Sequence, residues 1–189
     1  MLSKILGIMI PILIFGITVA IWGSTPMLKH FFSLEPTPPN LQPYPYSDAR
    51  QHDLGAISIL KGDGIYFHGF TDKPLFMAYL AFLHLFAGNN YTTLQWAQIC
   101  ALAFIPVVLF FFGKKIHSSL FGLVLSAIII LQQRNAIVLS YQVASVNPKI
   151  LASEGFMLLG ILLVTYLFFN WMKKRSEEHT SELQSHLNL

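Results

Sequence analysis

The chain has 189 residues, 54% of them hydrophobic and 11% charged, with a formal net charge of +3 and a mean hydropathy of +0.57. Soluble domains average about 25% charged residues, so the composition excludes an ordinary soluble domain and predicts an all-α integral membrane protein. The basic residues sit at the edges of apolar runs and form no patch, which argues against nucleic acid as a partner, and the single cysteine, Cys100, excludes an intrachain disulfide and a cysteine-based metal site.

In chain order, Lys4 precedes an apolar run through Trp22. The run is longer than the core of a signal peptide and no small-x-small cleavage site follows it, so it reads as an uncleaved membrane helix at about 5–22. Lys4 marks its cytoplasmic end. A long outer loop, 23–91, comes next. The segment from Glu35 to Pro45 is too proline-rich for regular helix, because proline fixes φ and removes a donor. Ser47 is then placed to cap a helix opening at Asp48, which ends near Lys61-Gly62-Asp63-Gly64. Leu54, Ile57 and Leu60 predict its apolar side, and Asp48, His52 and Gly55 share another face at i, i+4, i+7. We expect this helix to lie on the outer membrane surface.

Asp72-Lys73-Pro74 opens a shorter apolar stretch, Leu75 to Ala87. It is too short for a crossing of about 30 Å and is expected to lie in the interface or dip partly into it. His84 on this stretch reads as an interfacial or packed histidine rather than a ligand. Further spans are expected at about 92–112, kinked at Pro106, then at 120–141 and 155–172. Lys114-Lys115 and Lys173-Lys174-Arg175 place cytoplasmic ends. Arg134 falls toward the outer end of its span, where snorkelling lowers the cost of an intramembrane arginine. Glu154 stands at the mouth of the last span. The topology is therefore four spans, with a cytoplasmic N-terminus and the acid-bearing segments outside.

Residues 175–186, Arg-Ser-Glu-Glu-His-Thr-Ser-Glu-Leu-Gln-Ser-His, change composition abruptly. They resemble the in-frame translation of a sequencing-adapter oligonucleotide. The expectation is that 1–174 is one transmembrane unit of a longer protein, that 175–189 is an artefactual tail, and that no function attaches to Ser176–Leu189.

Of the nine acidic residues, three lie in that tail, five between Glu35 and Asp72, and the last is Glu154. Acids gathered in one stretch of so apolar a chain point to chemistry. A carboxylate in a partly desolvated interface can act as a general base, and Lys73, Arg134 and Lys149 are of the type that holds phosphate. Base and phosphate clamp together suit transfer from a lipid-linked phosphate donor, although structural ion pairs would draw on the same residues. Asp48, Asp53 and Glu154 carry the oxygen ligands that would suit a divalent cation; no cofactor is otherwise indicated.

The ordered pattern Asp48-Ala49-Arg50-Gln51-His52-Asp53, then Ala56, Ile59 and Gly62, then Asp72-Lys73-Pro74-Leu75, resembles the membrane-embedded C-type glycosyltransferases (GT-C). These include the protein O-mannosyltransferases and the aminoarabinose transferase. Ser145-x-x-Pro148-Lys149 followed by Ser153-Glu154 is similar to a later segment of that family, and the likeness spans roughly 1–174. It implies an inverting transfer of a sugar from a polyprenyl-phosphate donor to a glycan, lipid or protein acceptor, on the outer side of a bacterial plasma membrane. Asp48 falls at the family's catalytic aspartate and Lys73 at its lysine before proline. His52, Asp53, Arg134, Lys149 and Glu154 are then substrate-binding candidates. His52 stands where the family more often has tyrosine and Glu154 where aspartate is commoner, which moves the Glu154 carboxylate by about a bond length. Two other classes fit the residues without the resemblance. A lipid-carrier transporter or flippase component would need the phosphate clamp but no base, and a non-catalytic membrane subunit would need neither.

Overall fold

The computed structural model describes residues 2–27, 45, 47–65, 72–139 and 147–187, with side chains described between 7 and 178. The proline-rich approach from Glu35 to Tyr44, Ser145 and the expected third-span end at Tyr141 lie outside these residues. Seven α-helices and no strands are present among the described residues: α1 Leu2–Ser24, α2 Asp48–Lys61, α3 Pro74–Ala87, α4 Tyr91–Leu102, α5 Phe104–Ile116, α6 Ser119–Val138 and α7 Ser153–Leu187. Among the described residues, four helical segments are long and apolar enough to cross a membrane: Gly7–Ser24, Tyr91–Ile116, Ser119–Val138 and Ser153–Glu178. This is the pattern of a multi-pass membrane protein.

The second of these segments is two helices. The amide of Ala103 still bonds to Ile99 O, but Pro106 has no N–H to offer Leu102 O, and the helix breaks at Ala103. The kink therefore lies one turn N-terminal to the proline that causes it. α5 and α6 form the tightest hairpin. Gly113 and Gly122 face each other so closely that a Cβ on Gly113 would meet Gly122 Cα at 2.7 Å. Ser118 opens α6 by accepting a bond from Phe121 N at 3.2 Å. The Ser126 hydroxyl lies in reach of both Pro106 O and Gly122 O at 2.7 and 2.9 Å, which ties α6 to α5 just past the kink.

α1 packs on α5 and α6, with Trp22 fully buried and its indole N–H donating to Ile130 O at 3.1 Å. α7 packs on α5 and α4, and most of its large apolar side chains, such as Val164 and Leu167, stay exposed. That is the surface lipid would cover in a span. α7 also runs on as one helix through the adapter-like residues to Leu187, well past the expected end near 172. Lys115 hydrogen-bonds to Asn170, so the ends of α5 and α7 that carry the lysines lie together. At the opposite end of the bundle, the C-terminal end of α1 and the starts of α4 and α7 meet through the loop at 147–152. Gln98 Nε2 is placed against Pro148 O and Ile150 O at 2.9 and 2.5 Å, and Gln95 donates to Lys149 O at 2.9 Å.

α2 and α3 pack against each other at this end, and α3 also packs on α4. One core joins them: Ala49 and Ala56 of α2, Phe76, Leu80 and Leu83 of α3, Leu94 of α4 and Leu151 ahead of α7.

Candidate functional site

The structure adds a protein-packing face to α2 and corrects one expectation about its start. Its buried face is Ala49, His52, Asp53, Gly55, Ala56 and Ser58, while Leu60 is exposed and Leu54 and Ile57 are only half-buried. The larger apolar side chains thus do not form the packing face. Small residues do, because they let two helices approach closely: a Cβ on Gly55 would lie 2.5 Å from the Met77 sulfur. The correction concerns Ser47, which precedes α2 but makes no side-chain capping bond. Its φ of 53° is left-handed, and its hydroxyl lies 3.5 Å from Asp48 Oδ1. Gly62, at φ 86°, ends the helix where its glycine freedom is required, with Asp63 N bonding back to Ser58 O at 3.1 Å.

Two polar residues on the buried face of α2 are each matched by a partner from outside the helix. His52 Nε2 lies 3.2 Å from Asp72 Oδ1, just before α3, and the edge of its ring meets Phe76 at 5.4 Å between centroids. Asp53 is 1% exposed. Its Oδ1 lies 2.8 Å from His84 Nε2, and its Oδ2 accepts from the Tyr91 hydroxyl at 2.6 Å. His84 Nδ1 lies 2.7 Å from Gly88 O. A carbonyl can only accept, so Nδ1 carries a hydrogen and Nε2 is left to face Asp53. The hydrogen bond to Asp53 raises the His84 pKa above its ordinary value, with burial opposing and the Gly88 bond assisting. Nε2 and Oδ1 thus face each other across 2.8 Å with both side chains sealed from solvent. Removing one member of such a buried pair costs about 3–5 kcal/mol.

The other candidates divide. Asp48 is exposed in the first turn of α2, where the helix dipole favours a negative charge. Lys73 precedes α3 and its carbonyl accepts from Met77 N at 3.1 Å. The His52–Asp72 contact draws the Asp48 and Lys73 segments together. Glu154 is exposed in the first turn of α7. Two residues on, Phe156 stacks on Tyr79 of α3 at 4.6 Å, which brings the start of α7 to the same corner. Burial pushes the Tyr79 phenol upward in pKa. Arg134 is exposed on α6, which packs on α5 and α1, and it forms no ion pair with a described residue. Lys149 donates to Gly23 O and Thr25 O at 2.9 and 2.6 Å, so its ammonium is engaged with backbone.

The oxygen set suggested for a divalent cation is not assembled. Both Asp53 oxygens are engaged with protein, and no three His, Cys, Asp or Glu side chains among the described residues gather as a metal-binding group. Tyr91 is the member of the site that sequence reasoning missed; His84, expected as an interfacial or packed histidine, is packed, but its pairing with Asp53 was not foreseen. Both flank the Gly88-Asn89-Asn90 break, and a buried acid needs partners, but nothing local to either residue marks Asp53 as that acid. Comparison with protein-family models, with curated proteins and with solved structures finds no match to this chain.

Proposed function

We propose that the chain acts in glycosyl transfer at the outer face of a bacterial plasma membrane, taking a sugar from a polyprenyl-phosphate donor, with Asp48 as general base. The observation that supports this best is the 3.2 Å contact between His52 and Asp72. His52 is one helical turn after Asp48 and Asp72 is next to Lys73, so an exposed carboxylate and a phosphate-type cation are brought to one corner. The bundle end carrying them also gathers the starts of α4 and α7.

In this reading Asp48 takes the proton of an acceptor hydroxyl or amine as that atom attacks the anomeric carbon. The bond from that carbon to the phosphate oxygen breaks with inversion. Lys73 balances the charge left on the departing polyprenyl phosphate. Glu154, at the same corner, is available to acceptor or sugar hydroxyls.

The test uses the full chain in native-like membranes with a panel of radiolabelled polyprenyl-phosphate sugars. Asp48→Asn should lower transfer by about a hundredfold or more and leave membrane insertion intact. Full transfer by that variant removes Asp48 as the base. Tolerance of Asp48→Asn together with carrier binding lost in Lys73→Met would favour a lipid-carrier transporter. No transfer by the wild type from any donor ends the reading.

A further inference from the structure

We propose that Asp53, His84 and Tyr91 form a buried three-point latch whose role is positioning: it holds α2, and with it Asp48 and His52, in register with α3 and α4. The latch rests on geometry alone; its consequence for chemistry rests on the glycosyl-transfer reading above.

α2 is a 14-residue helix between two long connections. Its extensive helix packing among the described residues is with α3, through small side chains that let the two helices approach closely but offer few directional contacts of their own. Directional bonds are what select one register. Asp53 supplies two of them to different helices, since His84 belongs to α3 and Tyr91 is the first residue of α4. The tie to Tyr91 matters most, because α4 opens one of the membrane-length segments and so fixes α2 to the bundle. The third bond, from His84 Nδ1 to Gly88 O, sets the imidazole at the end of α3. A carboxylate that is 1% exposed with both oxygens engaged does not touch a substrate. Its influence reaches Asp48 through the helix that both share.

The isosteric variant separates positioning from charge. In Asp53→Asn the amide oxygen accepts from Tyr91 and the amide nitrogen donates to Nε2 of a neutral His84, whose Nδ1–H still donates to Gly88. All three bonds survive. Asp53→Ala removes two of them, and Tyr91→Phe removes one and spares the fold if the alanine variant misfolds.

The experiment places spin labels at Arg50→Cys of α2 and Thr92→Cys of α4, both exposed, in a Cys100→Ala background. The full chain is reconstituted in nanodiscs and the interlabel distance is read by pulsed EPR. A narrow distribution is expected for the parent and Asp53→Asn, a broad one for Asp53→Ala, and an intermediate one for Tyr91→Phe. In the transfer assay Asp53→Ala should lower kcat by about tenfold or more with little change in KM, and Asp53→Asn should restore it. A distribution in Asp53→Ala as narrow as the parent's, or one in Asp53→Asn as broad as the alanine variant's, overturns the latch. Broad distances with unchanged kcat overturn its bearing on catalysis. If the wild type transfers no sugar, the functional reading fails while the distances still decide the latch.

Discussion

The ammonium of Lys149 lies 2.6 Å from the carbonyl oxygen of Thr25, 124 residues away in the chain. With Gly23 O at 2.9 Å, it satisfies carbonyls left open where α1 ends and places a positive charge at the negative end of that helix. Burial lowers the Lys149 pKa. The neighbouring backbone is held by Gln95 and Gln98 of α4, so one short loop joins α1, α4 and the start of α7.

Lys149→Met should therefore destabilise the bundle. It leaves two carbonyls without their charged donor, and hydrogen bonds to charged groups contribute about 1.5–3 kcal/mol each way they are broken. Thermal unfolding in detergent is the measurement, and a lower Tm is expected. An unchanged Tm would mean that the carbonyls find other donors.

The Asp53–His84 pair makes stability depend on pH. The folded-state pKa of His84 is raised above its ordinary 6.5. Its stabilising contribution is then fully present below about 6.5 and is lost as pH rises through the raised folded value. Among the described residues, Asp53 from α2 and Tyr91 from α4 are the titratable groups that bond at this corner. Tm measured from about pH 6 to about pH 9 should fall more steeply for the wild type than for Asp53→Asn, in which a neutral histidine is accommodated. Parallel curves would argue against a charged pair.

Gly122→Ala tests the α5–α6 hairpin. The new methyl would collide with the Phe110 carbonyl, a backbone atom that moves only with its helix. Overpacking of this kind costs about 1–3 kcal/mol, seen as a lower Tm. Gly7→Ala, where a Cβ meets nothing within 4 Å, should be neutral or slightly stabilising, because alanine favours helix over glycine. Equal losses in the two variants would point to a common helix effect and not to the close approach.

Much of the scaffold was legible from residue order. The apolar stretches have the length and composition of spans, Pro106 has to interrupt a helix, and Gly62 has to end one. The site was legible only in part. Asp48, His52, Asp53 and Lys73 stand out because charge is rare in this chain, but their environments do not follow from their types. His84 reads as an interfacial or packed histidine, which does not reveal that it meets Asp53, and the small-residue packing face of α2 is not evident from hydropathy because size decides which side of a helix can come close to a neighbour.

The apolar spans and the interruptions at Pro106 and Gly62 are thus properties of local sequence: they depend on how many apolar residues run together and on where proline and glycine fall. The division of labour between Asp48 and Asp53 is not local. They sit five residues apart on one helix, yet Asp48 is exposed and Asp53 is sealed from solvent. That difference is made by His84 and Tyr91, which arrive from 31 and 38 residues away. Only a packed arrangement of three helices can supply both partners of a buried carboxylate at once, and without them the desolvation cost would keep Asp53 out of the core.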